Sequence, residues 1–167
     1  MKSKHIIVPV ALVSILSFVI YGFTGKTSVP HSAASATPVL IMADSLDLAK
    51  HKGKVIVLSF WASWSKISRS ENKHLVRVFQ KYKTNPKIVF ISVSLDTDQT
   101  SWKTAIEEDG LTWTEHVCDF KKYESPVALK FNVNTLPRII LLDSKGHISQ
   151  SSAKMIDIEN HIDALLK

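Results

Sequence analysis

One cysteine, Cys118, stands alone in 167 residues, so neither an intrachain disulfide nor a C-x-x-C pair is available. Metal chemistry has as little to work with. There is no H-E-x-x-H, no paired thiol and no acidic calcium loop, and neither a metal nor a cofactor is expected. The seven histidines, at 5, 31, 51, 74, 116, 147 and 161, belong to no arrangement such as G-x-S-x-G. A serine hydrolase, which needs a histidine base and an oxyanion hole, is therefore disfavoured. The formal charge of +6 is basic, yet the lysines are spread along the chain. No cluster interleaves them with aromatics, and no nucleic-acid partner is expected. No internal repeat is present.

What is present fits one globular domain and a short appendage, since 45% of residues are hydrophobic and 22% charged. Lys2 and Lys4 precede an apolar run from Ile6 to Phe23, the pattern of an export signal. Its length also suits an uncleaved anchor with the lysines inside, whereas Ala34-Ser35-Ala36 supplies a small-residue cleavage pattern. Residues 1–23 are thus a signal peptide or membrane anchor, 24–38 a Ser-, Ala-, Thr- and Pro-bearing linker, and 39–167 the domain. Either outcome leaves the domain in an extracytoplasmic, periplasmic-type space. A lone thiol there is a buried small hydrophobe, a free reactive group or half of an intermolecular pair.

Lys54 to Trp61 (KVIVLSFW) predicts a strand covered on both faces. From Lys66 to Tyr82, Leu75, Phe79 and Tyr82 follow helical spacing while Lys73, Arg77 and Lys81 face outward. Asn85-Pro86 ends that helix. Lys87 to Leu95 predicts a second strand, parallel to the first because a helix-length crossover joins them. Thr100 to Asp109 predicts a helix closed by Gly110, and Ser125 to Phe131 a shorter one, with residues 113–119 linking the two. Arg138 to Asp143 predicts a strand that turns at Ser144-Lys145-Gly146 and returns antiparallel. Asp157 is placed to cap a last helix with Ile158, Ile162 and Leu165 inward. The sum is an α/β sandwich with a mixed sheet.

Chemistry in such sheets gathers beyond the strand carboxyl ends, and there the chain reads F-W-A-S-W-S-K-I-S-R-S-E. This stretch resembles the active-site region of thioredoxin-fold thiol-disulfide oxidoreductases, particularly the exported, often membrane-tethered branch of TlpA-like and cytochrome-maturation proteins. In that family a phrase like F-W-A-S-W precedes a Cys, two residues with Pro second, another Cys, a basic residue and a Glu. Phe60 to Trp64, Arg69 and Glu71 match. So do Val93-Ser94-Leu95-Asp96, Trp102, Thr135-Leu136-Pro137 and Gly146, a likeness running over residues 39–167. It implies a thioredoxin-like three-layer sandwich.

The departures fall on the reactive centre. Ser65 and Ser68 replace both cysteines, Ile67 replaces the intervening proline, and Lys73 stands where the family often has another. Exchange needs a thiolate that attacks sulfur and a sulfur that leaves, and a hydroxyl does neither. Serines here also fit a capping box, Ser68-Arg69-Ser70-Glu71, with Ser68 as the cap and Glu71 reaching back; the family instead uses the glutamate to tune its thiols. Pro137 is cis by resemblance, so that Leu136 and Pro137 form a peptide-binding ledge; from sequence alone it merely opens a strand. Cys118 follows His116, which supports a thiolate if it lies close, while Glu115 and Asp119 oppose one. The expected function is a redox-inactive exported domain that holds a protein or peptide partner around Trp64, Ser65, Ser68, Leu136 and Pro137. The rival is a divergent thiol-disulfide oxidoreductase working through Cys118 or a partner's thiols.

Overall fold

The computed structural model describes residues 46–167 and the backbone of 39–41. The expected signal or anchor at 1–23 and the linker at 24–38 lie outside the described residues. Six strands form one sheet: β1 (Val39–Ile41), β2 (Val55–Trp61), β3 (Ile88–Ser94), β4 (Glu115–Cys118), β5 (Arg138–Leu142) and β6 (Ile148–Ser152). Their spatial order is β1-β4-β3-β2-β5-β6. β1 through β4 run parallel in that block, and β5 is antiparallel to both β2 and β6. Among the described residues four α-helices accompany them: α1 (Lys66–Tyr82), α2 (Gln99–Asp109), α3 (Pro126–Lys130) and α4 (Met155–Leu165). None of the described helices is long and apolar enough to cross a membrane.

Alternation along β2 explains the layers. Val55, Val57 and Trp61 enter one core cluster, and Ile56, Leu58 and Phe60 enter another on the opposite face. Leu75 and Val78 of α1, Trp102 and Ile106 of α2, and Ile158 and Ile162 of α4 cover the first face. Val127 and Ala128 of α3 cover the second. The result is the expected three-layer thioredoxin-like α/β sandwich around a mixed sheet.

The expected strands and helices form within a few residues of their predicted limits, and β2 with β3 is parallel as expected. Gly110, at φ 67, closes α2 in the left-handed region, where a side chain would be strained. Three corrections are needed. Residues read as a link between helices contain β4, inserted between β1 and β3. The α1 cap is Ser65, extended at φ −88 and ψ 101, and its side chain accepts from Ser68 N; Ser68 is already inside the first turn. Asp157 likewise lies inside α4, whose N-cap is Lys154, and its carboxylate accepts from Ser152 Oγ at 2.6 Å.

Candidate functional site at the β2–α1 junction

The end of β2 is fixed before α1 begins. Leu95 N donates to Trp61 O at 2.8 Å, carrying the β2–β3 ladder one step past the strand. Asp96, only 1% exposed, then grips the next residues. Its carboxylate accepts from Ser63 N at 3.0 and 3.1 Å, from Ser63 Oγ at 2.6 Å and from Ser94 Oγ at 2.6 Å. A buried carboxylate persists only when its lone pairs are met, and here the donors that meet it also set the path of the loop. Held in this way, the chain turns out through Trp64 into the helix.

Ser65 and Ser68 are in contact. Ser68 Oγ donates to Ser65 Oγ at 2.9 Å and Ser68 N donates to the same oxygen at 3.2 Å. Ser68 is fully buried and Ser65 partly so, while Trp64 and Ile67 beside them are 52% and 69% exposed. Side chains of that size left half in water form an apolar surface at the mouth of the helix. Ile67 went unremarked as a surface group in the sequence because its notable feature was the proline it replaces.

Pro137 joins the junction through the sheet register. Phe60 pairs with Arg138, so Pro137 lies one step further, beside the end of β2. The Leu136–Pro137 peptide bond is cis. Pro137 is buried, and Leu136 packs, partly buried, against the second core cluster.

Glu71 does cap a helix, though not its own. Glu71 Oε1 accepts from Met155 N at 2.6 Å, meeting an unpaired N–H at the start of α4. No capping box forms on α1. Arg69 points elsewhere too: its Nε donates to Asp109 Oδ2 at 2.6 Å and its Nη2 to Glu108 Oε2 at 2.9 Å, tying α1 to the end of α2. Those two carboxylates raise the guanidinium pKa, the Asp109 hydrogen bond most.

Cys118 is remote from the serines. The register aligns Trp61 with Ser94 and Ser94 with Cys118, so β3 stands between the thiol and β2 at roughly 10 Å. Its Sγ is fully buried and donates weakly to Asp96 O at 3.6 Å. Burial pushes the thiol pKa up to about 11. His116 gives it no support: Nδ1 pairs with Ser92 Oγ, Nε2 with Trp113 O at 3.0 Å, and the ring stacks on Trp113. The condition for support of a Cys118 thiolate by His116 is not met, because both ring nitrogens are already engaged. His51 pairs with Glu115, His74 with Arg77, His147 with Asp143 and His161 with the Asp157 carbonyl. Among the described residues, therefore, no histidine hydrogen-bonds either serine, and no group of His, Cys, Asp and Glu is placed to hold a metal.

Burial drives the His116 pKa down from the usual 6.5 to about 4. Between those values the unfolded chain takes up a proton that the folded ring refuses, so stability falls as pH drops through that window. The expected loss is on the order of 3 kcal/mol. Urea midpoints followed from neutral pH to mild acid should show it, and His116→Gln should flatten the slope; an equal slope in the variant would assign the acid sensitivity elsewhere.

A family model described as thioredoxin-like matches residues 53–148, which includes the β2–α1 junction and the Leu136–Pro137 step. The chain belongs to the thioredoxin-like family. Among curated relatives, the thiol-disulfide oxidoreductase ResA of Geobacillus kaustophilus is 25% identical over 163 residues, covering 92% of this chain and 90% of that protein. Among solved structures, the C-terminal domain of a protein described as a thiol-disulfide oxidoreductase from Bacteroides thetaiotaomicron is 37% identical, with a TM-score of 0.63 over 69% of this chain and 78% of that one. A thiol-disulfide oxidoreductase from Bacteroides fragilis is 34% identical, with a TM-score of 0.59 over 65% of this chain and 82% of that one. This thioredoxin-like chain thus has relatives named for disulfide chemistry and a single cysteine of its own.

Proposed function

We propose that this chain is an exported thioredoxin-like module that does not cycle dithiol and disulfide, and that it holds a protein or peptide partner at the β2–α1 junction. The observation that carries the reading is the Ser65–Ser68 pair. Both redox positions are occupied by hydroxyls bonded to each other at 2.9 Å, and the single thiol is buried behind β3. A serine oxygen does not accept or release sulfur on any useful timescale, and a thiol held above its ordinary pKa by burial is a poor nucleophile at neutral pH.

The partner-binding half rests on surface chemistry. Trp64 and Ile67 offer exposed apolar area at the start of α1, the sheet register sets Pro137 one step past the Phe60–Arg138 pair at the end of β2, and aromatic anchors beside backbone groups suit an extended segment. The export half rests on the lysine-flanked apolar run at Ile6 to Phe23, which either is removed or tethers the module to a membrane. The competing reading, a thiol-disulfide oxidoreductase working through Cys118, meets the burial of that thiol.

An insulin-reduction assay separates them. The parent chain and Cys118→Ala are both expected to leave the uncatalysed rate with dithiothreitol unchanged. Turnover by the parent that disappears in the variant would refute the silent-module reading.

A further inference from the structure

Helix α1 carries Lys66, Arg69, Lys73, Arg77 and Lys81 against a single acid, Glu71. That acid is directed at α4. Arg69 is matched by Asp109 and Glu108, and Lys81 by Glu159 and Asp163. Lys66, Lys73 and Arg77 are different. All three are exposed, and among the described residues none has a carboxylate within ion-pairing distance. Among the described residues Arg77 meets no acid, its Nη2 donating to His74 Nδ1 at 2.7 Å.

With Ser70 between them, these residues recur at intervals of four, three and four, which is one stripe along a helix. The placement works against the helix itself. No acid occupies the first turn, where the dipole favours one, and Lys66 sits at its first position. The positive helix end and the three unpaired cations therefore add along one side of the domain.

The stripe is flanked by hollows rather than by a flat face. Near its start, Lys66, Ser70 and Lys73 border a depression of about 380 Å³ with Ser63 and Asp109. Near its far end, His74 and Arg77 border another of about 270 Å³ whose apolar lining is Val78, Met155 and Ile156. Ile156 is 54% exposed there. The first hollow is polar throughout and the second sets Arg77 beside an apolar edge; concave sites of this kind fit side chains projecting from a polypeptide, whereas a bilayer surface is a plane and would rest on the rims.

We propose that α1 binds an acidic polypeptide segment of a partner protein, its carboxylates on Lys66, Lys73 and Arg77 and an apolar side chain against the exposed Ile156. This inference rests on the reading of the β2–α1 junction as a partner site and extends that site along the helix, with the charge complementarity that would choose the partner.

The test uses the full chain and a fluorescent peptide of glutamates interrupted by leucines, with a glutamine-for-glutamate peptide as its neutral counterpart. The acidic peptide alone is expected to bind, and its affinity should fall about tenfold or more between about 50 and about 500 mM NaCl. Lys73→Glu with Arg77→Glu should weaken it by at least about tenfold, and Lys73→Ala with Arg77→Ala by less. Lys130→Glu with Lys145→Glu makes the same change in net charge away from α1 and should leave binding within about twofold. Equal loss in that control, undiminished binding in the stripe variants, or capture by phosphatidylglycerol vesicles instead of the peptide would each overturn the proposal. Trp64→Ala tells the two surfaces apart: loss there with the stripe variants intact removes the stripe and keeps the junction, and the reverse keeps the stripe and removes the junction.

Discussion

Ser65→Cys combined with Ser68→Cys is expected to switch on disulfide exchange in a chain that lacks it. The two oxygens already touch at 2.9 Å, and a disulfide closes at about 2.05 Å. The longer carbon–sulfur bonds bring the atoms together without moving the backbone. A thiol introduced at position 65 would sit at the cap of a seventeen-residue helix, beside Lys66, where a thiolate is favoured and the pKa falls. The partner at position 68 would be buried, suited to resolving a mixed disulfide rather than starting one. Insulin reduction by the double variant should exceed the parent by at least about tenfold. The single change at position 65 should trap mixed disulfides without turnover. A correctly folded double variant with no exchange would show that Ile67 and Lys73 have altered the junction beyond the loss of sulfur.

The second large effect is on stability. Asp96→Ala removes one acceptor from Ser63 N, Ser63 Oγ and Ser94 Oγ together, leaving donors near the core without partners. The expected cost is about 3 kcal/mol, the scale of orphaned donors plus lost charge-assisted hydrogen bonds. Urea denaturation should show a lower midpoint with an unchanged slope. Asp96→Asn, which keeps an acceptor oxygen, should recover part of the loss. A cost under about 1 kcal/mol for the alanine would mean that the loop holds its path without the carboxylate.

The regular elements were legible because each obeys its own period: β2 alternates between two buried faces, and α1 repeats its apolar residues on one side from Leu75 to Tyr82. β4 was missed for a related reason. Glu-His-Val-Cys is four residues long, too short for a period to declare itself, and its polar members are satisfied by residues far away in sequence, Glu115 by Lys50 and His51, His116 by Ser92. The cap shows how local logic misleads. Spacing to Glu71 puts the N-cap at Ser68, whereas the extended backbone of Ser65 and its side-chain bond from Ser68 N put it at Ser65. Glu71 fits a capping box by spacing, and its real partner lies 84 residues on. The centre of the site, Ser65, Ser68 and Pro137, was readable from resemblance to a known pattern. Asp96 lay inside that pattern, but its grip on Ser63 spans 33 residues and leaves no local signal.

Glu71 also has a consequence for how the molecule is made. During synthesis the ribosome releases α1 long before residue 155, and until then the carboxylate that belongs to the start of α4 is left in water. The edge of the neighbouring hollow formed by Ile156 is likewise absent until α4 emerges. A nascent chain therefore carries the basic residues of α1 before it owns the edge that borders them, which arrives only with α4.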